Sequence, residues 1–196
     1  LSDEGYVKKV QGKGTFITYK KEKMYLNKPR GFKETLSSKG HSSKNDIIQA
    51  SFLNADGDIS EKLSIPLNTK VVYLERLVWE DNEPMAIDKI YIEDEKFPGF
   101  ITKLSKDLSF YTILEKDYNI QPKRAVLEID GIIAQNQHAD LLKCNIGDPL
   151  FSINKISYDF EDKPIHYSST IVRCDRATYV VHTDNSNMMN TKTKSK

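Results

Sequence analysis

Only two cysteines occur in 196 residues, Cys144 and Cys174, far apart and without CxxC or Cys/His ligand spacing around them. Their scarcity excludes a disulfide scaffold and a zinc ribbon, and fits reduced thiols in a cytoplasmic protein. No apolar run approaches the roughly 18 to 20 residues of a membrane-spanning helix, and no secretory leader opens the sequence. Strand-like runs are not followed by Gly-rich phosphate loops and no βαβ repeat is present, so a Rossmann-type nucleotide site is not expected. No Ser-His-Asp order, metal-ligand spacing or paired catalytic carboxylates stand out, and no cofactor is called for. Net charge is also slight, at +1, which argues against a surface that binds polyanions all over.

What is present describes a globular protein. Charged residues make up 29% of the chain, hydrophobic residues 38%, and the mean hydropathy is −0.55. The length suffices for one sizeable core. Charge is unevenly spread: residues 1–44 carry 11 Lys+Arg against 4 Asp+Glu, and the remainder 18 against 24. A basic head on an acidic body places any polyanion at the head end.

That head reads as a small β-hairpin. Tyr6 to Val10 alternates, Gly12 and Gly14 flank Lys13, and Thr15-Phe16-Ile17 returns. Glycines there let the backbone come close to a partner, and Lys8, Lys9 and Lys13 put positive charge around the tip. The residues alone fit either a phosphate-tracking wing or an ordinary basic hairpin. Residues 18–30 are charged, aperiodic and contain Pro29, as in a linker. A short helical turn is expected over 31–36, loop over 37–45, and strand over Ile47–Leu53. Asp58 or Ser60 caps a helix through Leu63, stopped by Pro66. Val71–Trp79 and Met85–Ile92 form a hairpin across Asp81-Asn82-Glu83-Pro84. Leu104–Tyr118 is an amphipathic helix ending at Asn119. Arg124–Ala134 is strand, Asn136–Cys144 helix, and Leu150–Phe160 with Ile165–His182 a last long hairpin. Residues 185–196 read as a disordered tail. The expected fold is α+β, an antiparallel β-sheet with short flanking helices.

The pattern E-G-Y-V-x-x-x-x-G-K-G-T-F-I over residues 4–17 resembles the wing of the winged helix-turn-helix domain in GntR-family transcription regulators. By that resemblance the chain starts just after the recognition helix, and Lys8, Lys9, Gly12, Lys13 and Gly14 are DNA contacts. The rest, over 31–184, resembles the UTRA effector-binding domain of the HutC subfamily. The resemblance is carried by Leu74-Glu75-Arg76-Leu77, the D-N-E-P-M-A-I-D turn, Phe97-Pro98-Gly99, Asp107 to Leu114, Gly147-Asp148-Pro149-Leu150, Lys163 to Ser168 and Arg173-Cys174-Asp175-Arg176. It implies a chorismate-lyase-like fold and no enzymatic activity. It also implies a homodimer whose DNA operator binding changes when a sugar phosphate, sugar or small carboxylate binds beside the sheet, with no membrane association.

Candidate ligand residues follow from chemistry and resemblance together. Arg76 is mid-strand among apolar residues, where it either pairs with a carboxylate or holds a fork of donors for an anion. The family commonly has a second arginine where this chain has Val78, which points to a singly charged effector or a cation from elsewhere. Asp88 stands where the family has glutamate, and either accepts from effector hydroxyls or pairs with Arg76. Tyr91 is placed in the same pocket. Ser109 and Tyr111 open the amphipathic helix, where Asp107 and Ser109 either cap it or help hold an anion. His166 replaces a family glutamate, and is either a surface strand histidine or an imidazole that replaces the missing cation. Arg173, with Asp175 and Arg176, is read first as a structural network and second as pocket rim. Phe32 covers the pocket mouth. The competing functions are a chorismate-lyase-type enzyme and a binding module without DNA regulation.

Overall fold

The computed structural model describes residues 7–10, 14–17, 21–26, 43–105 and 109–183. Near the N-terminus β1 (Val7–Val10) pairs antiparallel with β2 (Gly14–Ile17), Val10 opposite Gly14, so a hairpin stands where the sequence placed one. Gly12, Lys13, Phe32, Asp107 and the 185–196 tail lie outside the described residues. Then comes β3 (Glu22–Tyr25), a strand inside the segment expected to be linker. Charge hid it: only Met24 of its four residues is buried, too short a pattern to register as period two.

The body is a six-stranded antiparallel sheet. Its strands are β4 (Ser43–Asn54), β5 (Lys70–Glu80), β6 (Glu83–Glu93), β7 (Arg124–Ile133), β8 (Pro149–Tyr158) and β9 (Pro164–Arg173). They lie in the order β4-β5-β6-β9-β8-β7. Of the β5 residues, eight are buried, Val71 to Leu74 in an unbroken run. A strand covered on both faces loses simple alternation and reads as a nearly continuous apolar run. The turn between β5 and β6 places Asp81 and Asn82 at φ 47° and 67°, conformations that Asp and Asn tolerate better than most side chains.

Short helices fill the connections. These are α1 (Gly57–Leu63), α2 (Phe100–Lys103), α3 (Phe110–Tyr118) and α4 (Asn136–Leu142). The cap of α1 is Asp56, whose Oδ1 accepts from the Ile59 amide at 2.9 Å, rather than the expected Asp58 or Ser60. The helix expected over Leu104–Tyr118 is confined to α3, with α2 as a separate turn before it. Asn119 does end α3, in the left-handed region at φ 53°. The expected long final strand also breaks: β9 stops at Arg173, and β10 (Ala177–Val180) leaves the sheet to pair in parallel with β3.

Two layers therefore sandwich the sheet. On one face, Phe97 of the turn after β6, with Phe100 of α2 and Phe110, Ile113 and Leu114 of α3, packs onto Val72, Leu74, Ile90 and Ile92. Farther along that face, Met24 and Ala177 of the β3/β10 pair cover Val78, Ala86, Ile153 and Val172. The opposite face is covered by α1, through Ile59 and Leu63 on Val71 and Tyr167, and by α4, through Leu142 on Leu77, Ile87 and Leu150.

Candidate functional site

Between the two apolar clusters of the first face runs a band of polar side chains, and the strand register aligns it. Arg76 of β5 lies opposite Asp88 of β6, which lies opposite Thr170 of β9. One residue pair along, Ser168 of β9 lies opposite Lys155 of β8, and beyond that His166 lies opposite Ser157. Arg76, Asp88, Ser168, Thr170, His166 and Ser157 are all buried. Placing so many polar groups between hydrophobic clusters is costly unless they bond to one another or to a ligand.

At one end, Arg76 Nη2 donates to Asp88 Oδ2, and Thr170 Oγ1 donates to Asp88 Oδ1 at 2.9 Å. The carboxylate is thus held from two sides, and the Arg76–Asp88 pairing weighed in the sequence is the one found. Arg76 Nε, however, is buried with no hydrogen-bond partner. Beside it on β4, Asn45 is 1% exposed and neither amide atom has a partner.

At the other end, α3 positions Tyr111. Its hydroxyl lies 3.1 Å from Ser157 Oγ and 3.3 Å from His166 Nε2, while the Phe110 ring packs 4.8 Å from the imidazole. His166 is 1% exposed, so it is not a surface histidine. Burial, and then the positive charges of Lys155 and Arg76, hold its pKa well below 6.5. A neutral imidazole results, which corrects the expectation that a protonated one replaces a missing cation. His166 Nδ1 has no partner. Lys155 of β8 lies on the same face, its ammonium 5.2 Å from the Tyr111 ring centroid. Ser109 caps α3, its Oγ accepting from the Thr112 amide at 3.0 Å. Among the described residues no group of three His, Cys, Asp or Glu side chains is placed to hold a metal ion.

Residues 38–178 match the family model of the UTRA domain. This chain belongs to the UTRA-domain transcription regulators of the GntR family. It is 31% identical over 182 residues to YurK of Bacillus subtilis, an uncharacterized HTH-type transcriptional regulator, covering 93% of this chain and 75% of the relative. Identity is 33% over 181 residues with a probable fructoselysine utilization operon transcriptional repressor of Escherichia coli K12, covering 92% and 74%. The crystal structure of PhnF from Mycobacterium smegmatis superposes with a TM-score of 0.83 at 23% identity, covering 94% of this chain and 80% of that one, a likeness of fold. These relatives are transcription regulators, which sets aside the lyase-type enzyme.

In this UTRA domain the remaining candidates separate. The register pairs Tyr91 with Tyr73 and Tyr167, on the face opposite Arg76, so Tyr91 does not share the polar band. Alternation explains the error, because three residues from Asp88 is an odd step and reverses the face. Arg173 also points to that opposite face. It donates to Asp175 at 3.0 and 2.7 Å and to the Leu142 carbonyl at 3.1 Å, which is the structural network read first in the sequence. Val78 is fully buried in the cluster beneath Met24, so an apolar wall stands where the family has its second arginine. Lys8, Lys9 and Gly14 lie in the β1–β2 hairpin. Asn45 and Lys155 share this face but were not singled out in the sequence. Lys155, a lone charge between Ile153 and Ile156, carried the same signal as Arg76 and was readable; Asn45 was not, because the β4–β5 register shifts between Ile47 and Gln49.

Proposed function

We propose that this domain is the sensor of a dimeric transcription repressor, and that its effector, an anionic sugar derivative, binds along the polar band. The observation that carries this reading is that buried nitrogens without partners, among them Arg76 Nε and His166 Nδ1, lie at two ends of one face of one sheet. Two strands apart and four residues along, their Cα atoms are separated by roughly 16 Å on strand spacings. That separation, less the reach of the two side chains, is the span an effector would bridge. Arg76 and Lys155 both place cationic side chains on this face, which suits an anionic ligand. The Escherichia coli relative, a regulator of fructoselysine utilization, supports a sugar-derived class. The β1–β2 hairpin would follow DNA phosphates through Lys8 and Lys9, with Lys13 between its strands in sequence.

Thermal-shift titration of this chain against fructoselysine, fructose 6-phosphate, free fructose and small carboxylates tests the reading. A binder raises Tm in proportion to ln(1 + [L]/Kd). Lys155→Met should weaken an anionic binder about tenfold, and Arg76→Lys, which keeps charge but loses the fork, should weaken it too. No shift with any compound, or shifts indifferent to both variants, would overturn the assignment. In the full-length regulator, the same compound should change operator affinity in a mobility-shift assay.

A further inference from the structure

We infer that Asn45 is an effector-binding residue, and that it reads a neutral group carrying both a donor and an acceptor, a hydroxyl or a carboxamide. The inference rests on the site assignment above. Asn45 is nearly inaccessible, and Oδ1 and Nδ2 both lack partners. Buried side-chain amides are ordinarily bonded, and a fold under no other constraint would replace this one with an apolar residue.

Its position shows what the amide is kept for. Asn45 lies opposite Val78 and Ile47 lies opposite Arg76, so Asn45 and Arg76 are diagonal neighbours on one face, roughly 7–8 Å apart. Arg76 Nε, on that diagonal neighbour, is likewise without a partner. The unmet needs of this corner are thus two donors, Nε and Nδ2, and one acceptor, Oδ1. A hydroxyl or carboxamide meets both kinds, accepting from a nitrogen and donating to Oδ1. A phosphate or carboxylate only accepts, and would face Oδ1 lone pair to lone pair. Val78 beside it offers no second cation. The effector therefore presents a neutral polar group at the β4 side of the band, which leaves any anionic group to its other end.

Asn45→Leu and Asn45→Ala separate a ligand residue from a structural one before any ligand is added. Removing two unpaired buried atoms should leave ligand-free Tm unchanged in Asn45→Ala and raise it by roughly 2–4 °C in Asn45→Leu. Both variants should weaken fructoselysine or fructose 6-phosphate, whichever shifts the wild type, by tenfold or more. A lower ligand-free Tm in both variants would make Asn45 structural and overturn the inference. So would a wild-type response that Asn45→Ala leaves unchanged. A wild type that responds to neither probe instead overturns the site reading on which the inference stands.

Discussion

At the scale of single residues, the Arg76–Asp88 pair carries the largest stability consequence. Both side chains are under 10% exposed, so removing one strands the other as an uncompensated buried charge. Asp88→Ala is expected to cost about 3–5 kcal/mol in urea unfolding, while Arg76→Met combined with Asp88→Leu should recover much of that loss. A double variant as unstable as the single one would show that the pair itself, rather than the stranded charge, sets the cost. His166 adds a pH signature. Its folded pKa lies below its unfolded value near 6.5, so between those two values the unfolded chain binds more protons. Stability is therefore full above about pH 6.5 and declines on acidification, by at most about 1.4 kcal/mol per pH unit. His166→Gln should flatten the slope between pH 6.5 and 5, and an unchanged slope would assign the acid loss to other groups. Arg76, Asp88 and Tyr111 were legible because a charge, or an aromatic with a polar tip, interrupts an apolar pattern. The state of His166 was not, since its burial depends on α3 folding over β9 from more than 40 residues away.

Elements were legible where local chemistry decides them. The β5–β6 hairpin follows from two apolar runs around Asp81-Asn82, and the α3 stop from Asn119. Less legible were elements made by distant partners. β3 exists because β10, some 150 residues on, offers an open edge, and β9 ends where the Arg173–Asp175 bridge turns the chain. The N-terminus of α3 shows how an element serves the site. Ser109 was a candidate for anion binding, yet its hydroxyl is committed to the Thr112 amide and lies 2.8 Å from Thr112 Oγ1. Ser109→Ala should therefore destabilise the fold by about 1 kcal/mol. Because α3 holds Tyr111 against His166, the same variant should also weaken the effector modestly, through Tyr111 rather than through a lost ligand bond. Ser109→Asp, which keeps a capping acceptor, separates the two roles: it should restore stability and binding together. Restored stability without restored binding would return Ser109 to the ligand.

On the scale of the whole molecule, one sheet is shared by two layers, one packed on each of its faces. Met24 presses on Val78, Ile153 and Val172 from one side, and Ile59 packs on Val71 and Tyr167 from the other. If the sheet is the common structural unit, neither layer has a stability of its own, and the domain unfolds in one transition. Met24→Ala should cost about 2–5 kcal/mol and Ile59→Val about 0.5–1.5 kcal/mol, each through lost burial and a residual cavity. With no shared partners among these contacts, the double variant should show the sum to within about 0.5 kcal/mol, in a single urea transition. A biphasic curve for Met24→Ala would mean that the β3/β10 pair opens before the sheet. The distinction bears on function, because β3 is the strand that follows the basic hairpin and its partner β10 covers the end of the face where Arg76 and Val78 lie. A mini-sheet that unfolds only with the domain transmits a ligand-induced shift as a rigid lever, whereas one that opens alone would transmit it by letting go.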